Sequence, residues 1–314
     1  MDSVATPGKT CRERAEEIAA GVDFVPTPGK TAALVRARGL TPRKSRGQNF
    51  LIDANIVRKI VLAAALDSSD TVVEIGAGLG ALTRELAAAA GLVIAIEIDR
   101  DLIPALRETL PDKTNVRLVA ADALQVDFDR LVARFKGEVE GRLPAYKVVA
   151  NLPYYITTPL LMHLLTSRFG FTTAVLMVQA EVGCRMLARP GGKEYGSLSV
   201  AVQYYAEPAI VGKVPRTVFY PRPEVDSLVV KLTRRQQPPV PVADEDFFFQ
   251  VVRAAFNQRR KTLLNALGNL GLERSQLLQA MAAAGIEPRR RGETLAIPEF
   301  AHLSAALQIA MERR

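Results

Sequence analysis

Residues Thr71–Gly80 read TVVEIGAGLG. Thr71, Val72, Val73 and Ile75 form a short β-branched run around Glu74 that predicts a buried strand. The run ends in Gly76-Ala77-Gly78-Leu79-Gly80, and an alanine-rich helical pattern opens near Ala81. Glycine there permits a tight turn and lets a ligand approach the backbone closely. A strand, a glycine turn and a helix in that order predict a nucleoside-binding α/β fold.

Outward from this unit, apolar β-rich runs recur at Leu92–Ile98, Val116–Val119, Lys147–Ala150 and Ala174–Val178, each followed by a helical pattern. That spacing predicts βα units in a mainly parallel sheet. Two further strands are expected at Ala209–Val214 and Ser227–Leu232, with no long helix between them, as an antiparallel edge pair. After Gln236-Gln237-Pro238-Pro239-Val240-Pro241 the pattern is helical without a convincing strand. The expected partition is a flexible leader over 1–26, a catalytic domain over 27–235, a linker over 236–242 and a helical domain over 243–314.

Composition narrows the partners. The chain has 314 residues, 48% of them apolar, enough for one α/β core and a second, smaller unit. Its 41 Lys and Arg against 33 Asp and Glu give a net +8, which favours a polyanionic partner such as nucleic acid. Cys11 and Cys184 are the only cysteines and lie far apart, which excludes a disulfide framework and fits a reducing cytoplasm. No metal site is expected. Asp2, Glu13, Glu16 and Glu17 argue against a secretory or transit segment, and the apolar stretch Leu86–Ile96 is broken by Gly91 and too short to span a bilayer. The strings ATPGKT at Ala5 and PTPGKT at Pro26 lack the leading glycine of a phosphate loop, because Ser3 and Phe24 stand there. From Lys30 to Arg46 six residues are basic and none acidic, so Arg43, Lys44 and Arg46 are candidate phosphate contacts.

Glu97 falls twenty-one positions after Gly76, at the end of the next strand, where a carboxylate can accept both hydroxyl protons of a ribose. Gly76, Gly78 and Glu97 alone do not separate NAD from S-adenosylmethionine. The third strand ends in Asp122-Ala123-Leu124, and Asp122 either accepts from an adenine amino group or caps the next helix. The fourth ends in Asn151-Leu152-Pro153-Tyr154. An adenine amino nitrogen is a poor nucleophile, because its lone pair is delocalised into the ring. Acceptors on its two hydrogens can hold that lone pair toward an activated methyl group, and the Asn151 side chain with the Leu152 carbonyl can supply them. Pro153 restricts the turn, and Tyr154 offers a stacking face. This set selects S-adenosylmethionine as the expected cofactor. A hydride-transfer enzyme would need a placed histidine; His163 reads as a packed residue among leucines, and His302 has no chemical neighbours.

With these residues in hand, the chain resembles the ribosomal RNA adenine dimethyltransferases, most closely the bacterial type acting on small-subunit 16S rRNA, from about Thr27 to the C-terminus. The resemblance also rests on Gly47-Gln48-Asn49-Phe50-Leu51, on Phe219-Tyr220-Pro221-Arg222-Pro223 with Val225-Asp226-Ser227, and on Phe256-Asn257-Gln258-Arg259-Arg260-Lys261. It implies a Rossmann-like class I methyltransferase sheet, α/β, of seven mostly parallel strands with a small all-helical C-terminal domain. It further implies that Asn49 and Leu51 line the methionine end of the cofactor, that Gly76 underlies it, and that Phe219 lies across the target base from Tyr154. Family function implies two methyl groups on each of two adjacent adenosines in a hairpin near the 3′ end of 16S rRNA, with an immature small ribosomal subunit as the expected partner; a cytoplasmic monomer is expected, since nothing in the sequence suggests obligate dimerisation. Arg222, Arg259, Arg260 and Lys261 are the expected RNA contacts outside the basic stretch, whereas Phe247-Phe248-Phe249 is expected to be core. The alternatives are a large-subunit enzyme of the antibiotic-resistance type and a non-catalytic nucleic-acid-binding factor on the same fold. Leu152 and the Asn257–Lys261 string favour the small-subunit type, and intact Glu97, Asn151 and Tyr154 favour catalysis.

Overall fold

The computed structural model describes residues 27–40, 48–110, 114–137 and 145–312. The expected leader and the basic residues Arg43, Lys44 and Arg46 lie outside the described residues. By internal contacts the chain divides into two units. The first takes in the described residues up to Ala180 together with Ala209–Leu232, and the second takes in Glu181–Pro208 with the chain from Thr233 onward.

The first unit opens with α1 (Pro28–Ala37), β1 (Phe50–Leu51), α2 (Ala54–Ala64) and β2 (Thr71–Ile75), followed by α3 (Ala81–Ala89), β3 (Leu92–Glu97), α4 (Ile103–Thr109) and β4 (Val116–Ala120). It continues through α5 (Phe128–Lys136), β5 (Tyr146–Asn151), α6 (Thr157–Thr166) and β6 (Phe171–Gln179). After α7 (Ala180–Leu187) and α8 (Ser197–Tyr205) come β7 (Ala206–Val214), β8 (Phe219–Tyr220) and β9 (Ser227–Arg234). Seven strands form one sheet in the order β4-β3-β2-β5-β6-β9-β7. The pairs β4–β3, β3–β2, β2–β5 and β5–β6 are parallel, as expected from the βα spacing. Every residue of β2 is buried, the signature of a parallel strand covered on both faces. Val72, Val93, Val149 and Val175 meet Val57 and Ile60 of α2 and Leu82 and Leu86 of α3 in one hydrophobic core cluster.

The strand order reverses at β2, which has β3 on one side and β5 on the other. Consecutive units are therefore wound in opposite directions from this point, and a crevice opens at the carboxyl ends of β2 and β5. Register places Ile75 opposite both Ile96 and Ala150, and Glu97 opposite Ala120, so Gly76, Glu97, Asp122 and Asn151 come off one edge.

A second, two-stranded sheet pairs β1 with β8, with Phe50 opposite Tyr220 and Leu51 opposite Phe219. Two-residue strands leave no periodicity to read, and the sequence reading contained neither. α1 accounts for part of the basic stretch structurally. Leu34 and Val35 pack with Leu79, Leu102 and Ala105, and Arg38 is ion-paired to Glu108. The second Gly-Lys-Thr string lies within this helix.

In the second unit α7 and α8 accompany α9 (Glu245–Asn257), α10 (Leu263–Ala266), α11 (Arg274–Ala283) and α12 (Ile297–Glu312). No described residue beyond β9 is in a strand. The partition differs from the expected one, which ran Glu181–Pro208 with the catalytic domain. Its cause is aromatic packing. Tyr204 meets Phe248 and Phe249 at ring-centroid distances of 5.2 and 5.3 Å, and Tyr195 meets Phe256 at 5.7 Å. Tyr195 also donates its hydroxyl to Leu295 O at 3.0 Å. Phe248 is fully buried and Phe249 nearly so, which makes these two rings core, as expected, while Phe247 is half-buried. No helix of the described residues is long and apolar enough to cross a membrane.

Truncating Phe248 removes the centre of this cluster. Phe248→Ala should cost about 3–5 kcal/mol, read as a lowered urea midpoint for unfolding; a midpoint within experimental error of wild type would contradict the packing.

Candidate active site

The glycine turn is held from below by the next strand. Gly76 N and Ala77 N both donate to Ile96 O, at 2.9 and 3.2 Å. Gly76, Gly78 and Gly80 have φ of +78°, +57° and +83°, values that β-carbons disfavour. Gly80 has a steric reason as well, because a Cβ there would lie 2.8 Å from both Leu106 Cδ1 and Thr109 Oγ1.

Glu97 ties this turn to β3. Its Oε2 accepts from Gly78 N at 2.9 Å, and its Oε1 accepts from Asp99 N at 2.8 Å. Burial pushes the Glu97 carboxyl up from its usual range, while those amide hydrogen bonds pull it back down. Glu97 also lines the cavity. Asp122 is the cap of a short 3₁₀ turn, Ala123–Gln125, accepting from Leu124 N at 3.0 Å. Both sequence readings of Asp122 are thus compatible, since one oxygen caps the turn and the residue still lines the cavity.

At the tip of β5, Asn151 Nδ2 donates to Asn49 O at 3.1 Å, which leaves Oδ1 as the amide's acceptor. Leu152 is buried, and its N–H is committed to Met177 O at 3.0 Å. The Pro153 carbonyl accepts from Ile156 N and Thr157 Oγ1, at 3.2 and 3.1 Å. Of the two carbonyls in this turn, that of Leu152 is therefore the better placed for a substrate donor. Tyr154 is pinned by its hydroxyl against Ser227 Oγ at 3.2 Å, and burial raises its phenol above the usual range, so it stays neutral.

One cavity of about 320 Å³ collects these groups. Its lining includes all of the expected cofactor residues, Asn49, Leu51, Gly76, Gly78, Glu97, Asp122 and Asn151, and all of the expected catalytic ones, Leu152, Pro153, Tyr154 and Phe219. The β1–β8 pairing brings Asn49 and Leu51 beside Phe219, a convergence across nearly the whole length of the unit. Phe219 is only 4% exposed and packs in the same core cluster as Val72 and Val149. The cavity also contains residues to which the sequence reading assigned no role: Glu74, Gln48, Ile98 and Tyr155. Gln48 Nε2 donates to the buried Asp99 at 2.7 Å, and Tyr155 is more than half exposed at the cavity. Glu74 sat inside the decisive stretch, and its acidity in an otherwise apolar strand was the available signal.

The expected RNA contacts separate into two kinds. Arg222, Arg260 and Lys261 are exposed. Arg259, although also exposed, is a clamp within the second unit: its Nε donates to Glu293 Oε2 at 3.1 Å and its Nη2 to the carbonyls of Lys193 and Tyr195.

A Rossmann-like sheet with a glycine turn, a buried acid at the end of the next strand and an Asn-Leu-Pro-Tyr strand tip defines a methyltransferase of the class I kind. A family model described as ribosomal RNA adenine dimethylase matches residues 39–308. The chain is 74% identical over 287 residues to ribosomal RNA small subunit methyltransferase A of Moorella thermoacetica, covering 91% of this chain and all of that one. It is 55% identical over 283 residues to the protein of the same name from Pelotomaculum thermopropionicum, covering 89% and 96%. Among solved structures, a dimethyladenosine transferase from Plasmodium falciparum aligns with a TM-score of 0.69 at 27% identity, over 83% of this chain and 98% of that one. The 23S rRNA methyltransferase ErmE aligns at 0.61 and 28%, over 83% and 100%. The chain belongs to the ribosomal RNA adenine dimethylase family.

Glu74 gives the site a pH signature. Burial, with repulsion from Glu97, pushes its carboxyl from the ordinary 4.5 up to about 8. The neutral form is favoured by the fold, so this contribution to stability is complete below about 4.5 and is lost as pH rises through about 8. Glu74→Gln should therefore melt above wild type at alkaline pH and converge with it in acid. A difference in melting midpoint that does not vary with pH would refute the assignment.

Proposed function

We propose that this protein uses S-adenosylmethionine to dimethylate the N6 amino groups of two adjacent adenosines in the 3′-terminal hairpin of 16S rRNA, on the immature small ribosomal subunit. The observation that carries the chemistry is the tip of β5, where Asn151 is oriented by Asn49 O beside the Leu152 carbonyl and the Tyr154 ring.

The residues present suit the cofactor. Glycines keep β-carbons out of the turn: a Cβ on Gly76 would approach Asn151 O to 3.6 Å, and one on Gly78 would approach Phe50 to 3.4 Å. Glu97 would hold the ribose hydroxyls, Asp122 the adenine, and Asn49 and Leu51 the methionine end. When bound, S-adenosylmethionine supplies a methyl group activated by a positively charged sulfur.

Asn151 Oδ1 and the Leu152 carbonyl accept the two amino hydrogens of the target adenine and turn its nitrogen lone pair toward the donor. Both acceptors are uncharged oxygens, so they orient the amine without retaining its proton, which passes to water after transfer. The adenine is extruded from its RNA, at a cost of a few kcal/mol. Tyr154 stacks on one face, a contact worth about 1–3 kcal/mol, and Phe219 borders the other. Pro153, whose carbonyl is tied to α6 through Thr157, keeps the turn rigid. Arg222, Arg260 and Lys261 are the candidates for phosphate contacts.

Mass-spectrometric mapping of ribosomal RNA incubated with protein and labelled cofactor tests this reading. Two N6,N6-dimethyladenosines side by side near the 3′ end of 16S rRNA are expected, and modification confined to large-subunit RNA would replace this reading with its rival. Asn151→Ala should abolish methyl incorporation while calorimetry still detects cofactor binding; near-normal turnover would remove Asn151 from the chemistry. The paired change Arg260→Ala with Lys261→Ala should reduce the slope of log affinity against log salt by about 1.4 if both residues meet single-stranded phosphates. An unchanged slope in filter binding would exclude them from the interface.

A further inference from the structure

The string Val225-Asp226-Ser227 has no task in the chemistry above. Ser227 opens β9, is 1% exposed and is not part of the cavity lining. Among the described residues its hydroxyl has one hydrogen bond, 3.2 Å to the phenol of Tyr154, with either oxygen as donor. Stacking uses the ring and not its hydroxyl, so a phenylalanine would offer a base the same face. The hydroxyl pair therefore acts on where the ring stands. Both of its ends are anchored to the end of β6. Leu152 N, two residues before Tyr154, donates to Met177 O at 3.0 Å, and Asp226 O accepts from Ala180 N at 3.0 Å. Asp226 Oδ1 also accepts from Arg216 N at 2.9 Å, which fixes the chain before β9 at a second point. The same stretch carries Phe219, paired with Leu51 and 4% exposed. Residues 219–227 thus supply one wall of the cavity and hold the ring of Tyr154 as well.

The demand on that ring changes during the reaction. An unmodified adenine amine offers two hydrogens to Asn151 Oδ1 and the Leu152 carbonyl. After one methyl transfer a single hydrogen is left for two acceptors, so one orienting hydrogen bond is gone. The orientation it supplied has to come from the stack. Resting on the reading of this site as an adenine N6-dimethyltransferase, we propose that Ser227 is a positioning residue for the second methyl transfer, holding Tyr154 so that the monomethylated base still meets the donor in line. In that step the nitrogen lone pair forms the N–C bond, the S–C electron pair stays on sulfur, and the last N–H proton leaves to water. The first transfer, oriented by both acceptors, depends far less on the hydroxyl pair.

Time courses on unmethylated small ribosomal subunits with saturating S-adenosylmethionine test this. Mass spectrometry of N6-methyladenosine and N6,N6-dimethyladenosine gives separate rates for the two transfers. Ser227→Ala and Tyr154→Phe should each slow the second transfer about fivefold, the worth of one hydrogen bond, and the first by less than about twofold. The double variant should be no slower than either single one, because both changes remove the same contact. Tyr154→Phe keeps the ring and its packing, so it carries the split between the two transfers even where Ser227→Ala fails to fold. A merely structural role would slow both transfers alike. That result overturns the proposal, as do an unchanged ratio of the two products and effects that multiply in the double variant. Wild-type protein that forms no N6,N6-dimethyladenosine overturns the functional reading and this inference together, an outcome distinct from dimethylation that is indifferent to Ser227.

Discussion

The parallel pairing of β2 with β5, with Ile75 opposite Ala150, is the contact on which the site depends. It brings Gly76 and Asn151 side by side at the carboxyl edge, one opening a glycine turn and the other the Asn-Leu-Pro-Tyr turn. Because β3 lies on the far side of β2 and β6 on the far side of β5, the connections diverge and leave the crevice open. The register is secured by burial. Val72, Val73, Val148, Val149 and Ala150 are buried to completion, and a slip of one residue would exchange the faces of the strand. The catalytic geometry is thus a consequence of hydrophobic packing a few residues upstream of it.

Much of this was legible in the sequence, for a physical reason. Buried parallel strands must be short, apolar and β-branched, so their ends can be placed to within a residue or two, and the residues at those ends are the ones that line the cavity. The β1–β8 pairing was not legible, because it joins two-residue strands across most of the first unit and is held by Leu51 and Phe219 in the common core. It nonetheless brings the Asn49 and Phe219 motifs to one wall. The membership of α7 and α8 was hidden for a related reason. A helix between two strands reads as a crossover, and only the meeting of Tyr204 with Phe248 and Phe249 reveals what its apolar side covers.

Basic residues show the limit of composition most clearly. A guanidinium has five donors and satisfies a backbone carbonyl as readily as a phosphate. Arg259 binds Glu293 and two carbonyls, Arg290 binds Glu299 and Thr294, and Arg38 binds Glu108. Charge clustering marks all of them equally, whereas only three-dimensional contacts separate the clamps from exposed cations such as Arg260 and Lys261. The effective charge offered to RNA is accordingly smaller than the sequence count implies.

The two halves of the cavity work by different electrostatics. The side reached by β2 and β3 is acidic, with Glu74 and Glu97 both raised by burial. The tip of β5 instead offers an amide oxygen, a main-chain oxygen and a neutral phenol. An adenine amine, itself neutral, needs direction more than charge. Placing a carboxylate at Asn151 would keep an acceptor but add a third acid to a cavity already lined by two that burial disfavours as anions, and each would penalise ionisation of the others. An amide supplies the same lone pair without that repulsion, and its own N–H₂ is what Asn49 uses to aim it. The acid pair and the amide are therefore complementary choices: two buried acids are tolerable on one side of the cavity because the acceptors on the other carry no charge.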